Sequence, residues 1–219
     1  MKAKDIMNRD DFKRCEAFHG HICPGLSIGY KAARAGMDRL RETRSEDEEI
    51  VAIVETDACC ADAVQVLTGC TFGKGNFIYK DHGKMVFTFL SRKTGEGVRV
   101  AMRPGAFEPD EGHFKLLQKV IGGTADEKEK ERFGEPHFKR SCDILEMTAD
   151  QLFVIEPVKT DLPPKAEIQP SEPCDRCGEP AMRTKLVLQG THRVCRDCIE
   201  KSDINPASSL AGLKFTIFQ

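Results

Sequence analysis

The sequence has no tryptophan, only two tyrosines and no excess of charge of either sign. Its 33 lysines and arginines face 35 aspartates and glutamates, so no global basic field attracts nucleic acid. Residues 1–14 are too charged for a signal peptide, and no segment approaches the roughly 18 consecutive apolar residues of a membrane span. We therefore expect a cytoplasmic protein without a membrane partner, and its composition gives nucleic-acid binding little support.

Cysteine, by contrast, is abundant. The chain has ten cysteines, and in a reducing compartment that number favours metal ligands and redox chemistry over a disulfide scaffold. With 219 residues, 40% of them hydrophobic, the chain is long enough for one medium domain with a buried core and a small appendage.

The strongest signal is a pair of C-x2-C motifs near the C-terminus. Their cysteines are Cys174, Cys177, Cys195 and Cys198, with seventeen residues between the motifs. Each motif can direct two thiolates at one ion, and the interval suits a hairpin that turns at Gln189-Gly190. Because the second motif runs into a helix-like segment, a treble-clef or ribbon-like zinc finger is favoured over a rubredoxin-type iron site. We predict one structural zinc ion held by four cysteines.

Two domains are predicted on either side of a proline-rich segment. Residues 157–173 hold five prolines and no periodic apolar pattern, which is typical of a stiff, extended linker. The first domain would comprise residues 1–156, and residues 174–219 would form the zinc finger with a C-terminal tail. The tail is apolar from 210 onward, so we expect it to pack against a domain or against a partner chain.

The first domain mixes helices and strands without a strict β-α-β rhythm. Its patterns predict helices at about 9–18, 24–42, 59–68, 110–121 and 136–148, and strands at about 49–56, 77–80, 85–91, 97–103 and 151–156. Turns at 81–83 and 94–97 would join three consecutive strands into a meander, and the charged run 126–132 is typical of a solvated helix face. The predicted fold class is α+β, with a mixed or antiparallel sheet, flanking helices and a small four-cysteine zinc-finger domain.

A second candidate site combines histidine with cysteine. His19, His21 and Cys23 lie within five residues, and in an extended strand their side chains would share one face and could share a metal or a substrate. Pro24 is suited to open a helix, so Cys23 would lie beside exposed backbone N–H groups. That position should favour the thiolate and lower the pKa of Cys23.

Further thiols come from a segment where a buried strand ends and a helix begins. Cys59 and Cys70 complete the predicted ligand set with His19, His21 and Cys23, for a second metal ion whose identity the sequence does not give. Cys59 and Cys60 are adjacent and cannot both face one direction, so at most one of them is a comfortable ligand there.

The remaining cysteines and histidines are interpreted as structural. Cys15 and Cys142 lie on predicted helices, where a buried free cysteine behaves as a small apolar residue. Single histidines are more often satisfied surface or core residues than ligands, an interpretation that applies to His82, His113, His137 and His192.

The order of these motifs resembles the FmdE family, named for a component of molybdenum and tungsten formylmethanofuran dehydrogenase. The motifs are His19-Gly20-His21-Ile22-Cys23-Pro24-Gly25, Thr56-Asp57-Ala58-Cys59, Asp62-Ala63-Val64-Gln65 and Leu67-Thr68-Gly69-Cys70-Thr71-Phe72-Gly73-Lys74-Gly75-Asn76. The resemblance spans about residues 10 to 155. It implies an α+β domain with a metal-associated cavity, a zinc-finger appendage, a homodimer and a place in anaerobic one-carbon metabolism. Relatives usually have a small residue at the position of Cys60, which makes Cys59 the favoured functional thiol.

Three functions remain open from the sequence. The first is a metal-binding accessory subunit of an enzyme complex, because many members of the family resemble accessory proteins. The second is a thiol enzyme acting on a one-carbon carrier, in which His19 or His21 activates Cys59 or Cys23. The third is a regulator whose zinc finger binds nucleic acid or protein. A ferredoxin-type cysteine signature is missing, so an electron-transfer iron–sulfur subunit is not indicated.

Overall fold

The computed structural model describes residues 1–107 and 111–203. The chain forms two compact units, Met1–Ala166 and Glu167–Gln219, and the boundary lies inside the proline-rich segment. The prediction for the apolar tail at 210–219 lies outside the described residues.

The first unit contains seven helices and a five-stranded sheet within the described residues. The helices are α1 (Ala3–Met7), α2 (Asp10–His19), α3 (Pro24–Leu40), α4 (Cys60–Thr68), α5 (Glu111–Ile121), α6 (Glu127–Glu146) and α7 (Ala149–Leu152). The strands are β1 (Ile50–Val54), β2 (Phe77–Tyr79), β3 (Val86–Ser91), β4 (Gly97–Met102) and β5 (Phe153–Val158). This mixed sheet with flanking helices confirms the predicted α+β class.

The strand order is β2-β1-β3-β4-β5, with β1 and β2 parallel and every other pair antiparallel. The predicted hairpin between β3 and β4 is confirmed, but the predicted meander from β2 into β3 is wrong. Strand β1 lies between those two strands, and Lys84 in their connection donates a backbone hydrogen bond of 2.9 Å to Glu55, just beyond β1. The crossover through α4 therefore places β2 on the outer side of β1.

The boundaries of α6 also differ from the prediction. The helix begins nine residues earlier than the predicted start at 136, because Asp126 and Glu129 form a reciprocal capping box. The charged run and the predicted helix are therefore one element, with Pro136 in its exposed interior. A second capping box, between Thr148 and Gln151, starts α7 and delays the start of β5 to Phe153.

Helix α3 is the centre of the core. Eleven of its 17 residues are buried, and it packs on α4, α6 and the sheet. The largest fully buried side chains of the unit include Phe12, Phe87, Phe89 and Phe153. Burial of such a side chain contributes about 1.5–3 kcal/mol, so the core fixes α3 firmly. The start of α3 is where the histidine–cysteine cluster lies.

The second unit is built from very short elements. Its strands are β6 (Ser171–Pro173), β7 (Pro180–Met182), β8 (Val187–Gln189) and β9 (His192–Val194), and its helix is α8 (Arg196–Asp203). β6 pairs with β7 and β8 with β9, both antiparallel. The predicted turn at Gln189-Gly190 connects β8 to β9, although residues 183–185 form a 3-10 turn and not the start of a strand.

Candidate metal centres

The first candidate centre lies where α2 ends and α3 begins. His19 is the last residue of α2, Gly20 follows with a positive φ of 92°, and Cys23 precedes α3 as its N-cap. A left-handed residue is favoured as glycine, and here it turns the chain out of α2. The histidines and Cys23 are thus brought together by a turn between two helices, not by the extended strand that the sequence suggested.

The three side chains converge closely. One donor atom from each of His19, His21 and Cys23 lies within 4.8 Å of the other two. The Cys23 Sγ is 3.6 Å from His19 Nε2, and the His19 and His21 ring centroids are 4.4 Å apart. Cys23 is buried while His21 is exposed, so the cluster opens to solvent on the His21 side. Three protein ligands with an accessible face are typical of a metal centre that keeps a position for solvent or substrate.

Helix α4 brings Cys59 to this cluster because two glycines let α3 approach it. A Cβ placed on Gly25 would lie 2.9 Å from the Cβ of Cys59, and one on Gly29 would lie 2.2 Å from the carbonyl oxygen of Cys60. The thiol of Cys60 points elsewhere, 3.6 Å from the sulfur of Met85. The adjacent thiols therefore have different surroundings, as predicted, and Cys59 is the one that interacts with Cys23 and both histidines.

The two clustered thiols share one proton unequally. A hydrogen bond from Cys23 lowers the pKa of Cys59 to about 6, against the opposing effect of burial and with help from the charges of His19 and His21. The same hydrogen bond, followed by burial, raises the pKa of Cys23 well above its usual range. The prediction that Cys23 is the more acidic thiol is therefore wrong, although its Sγ does accept a hydrogen bond of 3.3 Å from Leu26 N at the helix start.

Asp62 is the one residue of this site that the sequence did not indicate. It lies one turn into α4, and its Oδ2 is 2.7 Å from His19 Nδ1. Because a carboxylate only accepts, His19 donates from Nδ1, and its Nε2 is left with a lone pair on the side of Cys23. The three-residue interval between Cys59 and Asp62 on one helix is the signal that could have indicated it.

Cys70 is not brought to the cluster. It follows the C-terminal end of α4, whereas Cys59 precedes the first residue of that helix, so about 16 Å of helical rise separates them. Its buried thiol donates a hydrogen bond of 3.3 Å to the carbonyl of Ile50, and burial raises its pKa to about 11. The geometry gives Cys70 a packing role beside β1.

The other cysteines and histidines of the first unit have ordinary surroundings in part. Cys15 is fully buried, Cys142 is partly buried against the core, and an exposed His82 pairs with Glu55 at 2.9 Å. The rings of His113 and His137, however, meet between α5 and α6, with Nε2 of the first 3.1 Å from Nδ1 of the second. Burial, and then His113, His21 and Arg140, lower the pKa of His137 to about 4.

The second candidate centre lies in the C-terminal unit. One sulfur from each of Cys174, Cys177, Cys195 and Cys198 lies within 4.8 Å of the others, and Cys177 Sγ is 3.9 Å from Cys195 Sγ. Four sulfurs about 2.3 Å from a tetrahedral zinc ion would be about 3.8 Å apart, so the donor set fits zinc. Cys195 immediately precedes α8 and Cys198 lies within it, which is the hairpin-then-helix arrangement expected of a treble clef.

Backbone hydrogen bonds support the thiolate form at this centre. Bonds from the backbone of Cys177 and Cys195 lower the pKa of Cys174 to about 6. The Cys195 N–H lies 3.3 Å from the Cys174 sulfur. The nearby cations are already engaged, because Arg176 donates to the Cys198 carbonyl and both Arg183 and Arg193 pair with Glu172. His192 lies 3.8 Å from Asp175 at the surface.

A mixed sheet flanked by helices, with a histidine–cysteine cluster and a four-cysteine appended unit, defines a class of α+β proteins with clusters able to bind metal. The FmdE family model, described as "Molybdenum formylmethanofuran dehydrogenase operon", matches residues 18–154. The chain belongs to this family, so the predicted resemblance is confirmed.

Two relatives extend the comparison. The chain is similar to a crystal structure of an FmdE-like protein of the tungsten formylmethanofuran dehydrogenase type from Syntrophus aciditrophicus, with a TM-score of 0.59, 24% identity and coverage of 91% of this chain and 93% of that one. It is also 34% identical over 183 residues to a "Probable S-adenosyl-L-methionine-binding protein" from Archaeoglobus fulgidus, covering 79% of this chain. The chain spans about half the length of that curated relative, 49%.

No helix among residues 1–107 and 111–203 is both long enough and apolar enough to cross a membrane.

Proposed function

We propose that this chain is a metal-binding accessory subunit of a formylmethanofuran dehydrogenase-type enzyme complex in one-carbon metabolism. In this proposal it holds a structural zinc ion at its four C-terminal cysteines. A second, open metal centre is formed by His19, His21 and Cys23, with Cys59 beside them. The observation that carries the second centre is the convergence of three donor atoms within 4.8 Å on a solvent-facing turn. Membership of the FmdE family supports the link to the complex.

The donor set of the open centre suits a divalent transition metal. Imidazole and thiolate are ligands for zinc, and the exposed position of His21 leaves room for an oxygen ligand. A bound ion would supply Lewis acidity toward such an oxygen. Cys23 would be a ligand buried beneath the ion, and Cys59 would add a second thiolate on the side of α4.

Elemental analysis of anaerobically purified protein tests the open centre. We expect two metal ions per wild-type chain and one in His21→Ala, because that substitution removes a ligand. His21 is exposed, so the free energy of unfolding of the metal-free protein should change by no more than about 0.5 kcal/mol in urea titrations.

The matched control is His82→Ala, which removes another exposed histidine that also contacts a neighbouring side chain. It should keep both ions. A wild-type protein holding one zinc ion, removable by Cys174→Ser alone, would contradict the open centre.

The assembly is proposed on the same basis. We infer a homodimer that joins the catalytic subunits of the enzyme, and among the described residues Phe18, Phe72, Phe114 and Phe138 are exposed apolar side chains available for such contacts. Co-elution with those subunits would support the accessory role. Turnover by the isolated chain would contradict it, and a monomeric mass in light scattering would contradict the homodimer.

The low pKa of Cys59 favours a second candidate, a thiol enzyme. With a pKa of about 6, Cys59 is mostly thiolate at neutral pH, whereas Cys15, Cys60 and Cys70 have raised pKa values. We expect Cys59 to be alkylated by iodoacetamide faster than those three in metal-free protein, with a rate that falls as pH drops through about 6. Peptide mapping by mass spectrometry measures this. Equal labelling of Cys59 and Cys15 at pH 7 would exclude an activated thiol.

A further inference from the structure

The contact between Asp62 and His19 has the geometry of an orienting hydrogen bond. The Oδ2 to Nδ1 distance is 2.7 Å, and the His19 side chain is only 10% exposed. On the other side of the ring, Nε2 faces the sulfur of Cys23 at 3.6 Å. Each ring nitrogen of His19 thus has its own neighbour, and the carboxylate decides which nitrogen carries the proton.

One short helix supplies both this carboxylate and a thiol of the cluster. Cys59 is the N-cap of α4, and Asp62 lies in its first turn. Residues three apart lie on the same helix face, so the packing of α4 against α3 through Gly25 and Gly29 delivers both groups together. The position also suits a carboxylate, because the first turn of a helix favours negative charge.

We propose that Asp62 is a positioning residue that holds His19 in the Nδ1–H tautomer and directs Nε2 into the cluster. A carboxylate that accepts from the second nitrogen of a ligating histidine fixes its ring orientation and raises its basicity. Asp62 acts through His19 without contacting the metal itself. As a metal-centre residue it rests on the function proposed above, but its effect on the His19 tautomer does not require a metal.

Two substitutions separate orientation from charge. Asp62→Ala removes the acceptor, and Asp62→Asn keeps the size but can donate to Nδ1 and so select the opposite tautomer. Two-bond proton–nitrogen correlation spectra of the full-length, metal-free protein with ¹⁵N-labelled histidine report the tautomer. The His19 signals are assigned with His19→Gln. We expect wild-type His19 to carry its proton on Nδ1, and both variants to lose that preference.

Zinc affinity gives the second readout. Chelator competition with Zn²⁺ should show the N-terminal centre weakened about 10–100-fold in both Asp62 variants, with the C-terminal zinc unaffected. The control is Glu55→Gln, which alters a similar histidine–carboxylate pair, Glu55 to His82 at 2.9 Å, away from the cluster. That variant should change the His82 signals and leave the His19 tautomer and zinc affinity as in wild type.

The outcomes distinguish the two proposals. If His19 keeps its Nδ1 proton in Asp62→Ala and Asp62→Asn, the positioning role is overturned. If the tautomer changes but zinc affinity at an occupied N-terminal centre stays within about twofold, the role in metal binding is overturned. If wild-type protein takes up no second zinc, the open centre fails, while the tautomer spectra still decide whether Asp62 orients His19 toward Cys23.

Discussion

Replacing Cys174 by serine is expected to remove one zinc ion per chain and to unfold the C-terminal unit. Among described residues 167–203, Cys174 and Val194 are the buried apolar side chains, and each strand there has three residues. So small a core cannot offset the conformational entropy of folding, whereas a structural zinc ion contributes about 10–16 kcal/mol of apparent binding free energy. The metal, not apolar packing, is therefore expected to hold this unit together.

The first unit should survive the same substitution. Its sheet and α3 have their own large core, so its fold does not depend on the C-terminal cysteines. Metal content by mass spectrometry and limited proteolysis measure the two effects separately. We expect cleavage within 171–203 in Cys174→Ser and an intact fragment of the first unit.

Cys142→Ser is the matched control, because Cys142 is a partly buried cysteine on α6, remote in sequence from the zinc motifs. It should retain both the zinc and the resistance to protease. Protease resistance and full zinc content in Cys174→Ser would show that the unit folds without a complete four-cysteine site.

The four-cysteine cluster could be predicted from sequence because its information is local. Two C-x2-C motifs and a turn residue between them specify a site without reference to the rest of the chain. The start of α3 was predictable for the same reason, since Pro24 follows an N-cap residue and begins the helix as expected.

The position of β2 could not be predicted, because strand pairing is decided over long sequence distances. A short turn-like segment at 81–83 suggested a hairpin, yet β2 pairs with β1 across the α4 crossover. A parallel pair needs such a crossover, and the 59–68 helix prediction contained it. What the pattern lacked was any sign that β1 would take the place beside β3.

The candidate site shows the same division between local and distant information. His19, His21 and Cys23 are close in sequence, so their grouping was predicted, whereas Asp62 is 43 residues from the ring it contacts. The relative acidity of the thiols also depended on a tertiary contact. The helix start should favour the Cys23 thiolate, but the hydrogen bond to Cys59 and burial outweigh that effect.

Gly29→Ala is expected to destabilise the first unit severely and to disrupt the histidine–cysteine cluster. The added Cβ would lie 2.2 Å from the carbonyl oxygen of Cys60, and 2.7 Å from its Cα. Relief requires movement of α4 itself, because the obstructing atoms are backbone. Overpacking of a core costs about 1–3 kcal/mol when side chains can adjust, so we expect a loss of about 3 kcal/mol or more in urea unfolding.

Gly134→Ala separates this steric effect from helix propensity. Gly134 lies inside α6, and a Cβ there would meet no atom within 4 Å. Alanine is favoured over glycine in a helix by about 1 kcal/mol, so this variant should gain stability. The same gain is available to Gly29→Ala, which makes any net loss attributable to the contact with α4.

The cluster should respond together with the stability. Movement of α4 shifts Cys59 and Asp62 away from α3, so Gly29→Ala should lose metal at the N-terminal centre even under conditions where it remains folded. Gly134→Ala should keep it. If Gly29→Ala were as stable as wild type, α3 and α4 would not be in the close contact that brings Cys59 to His19 and Cys23, and the two-helix origin of the site would be wrong.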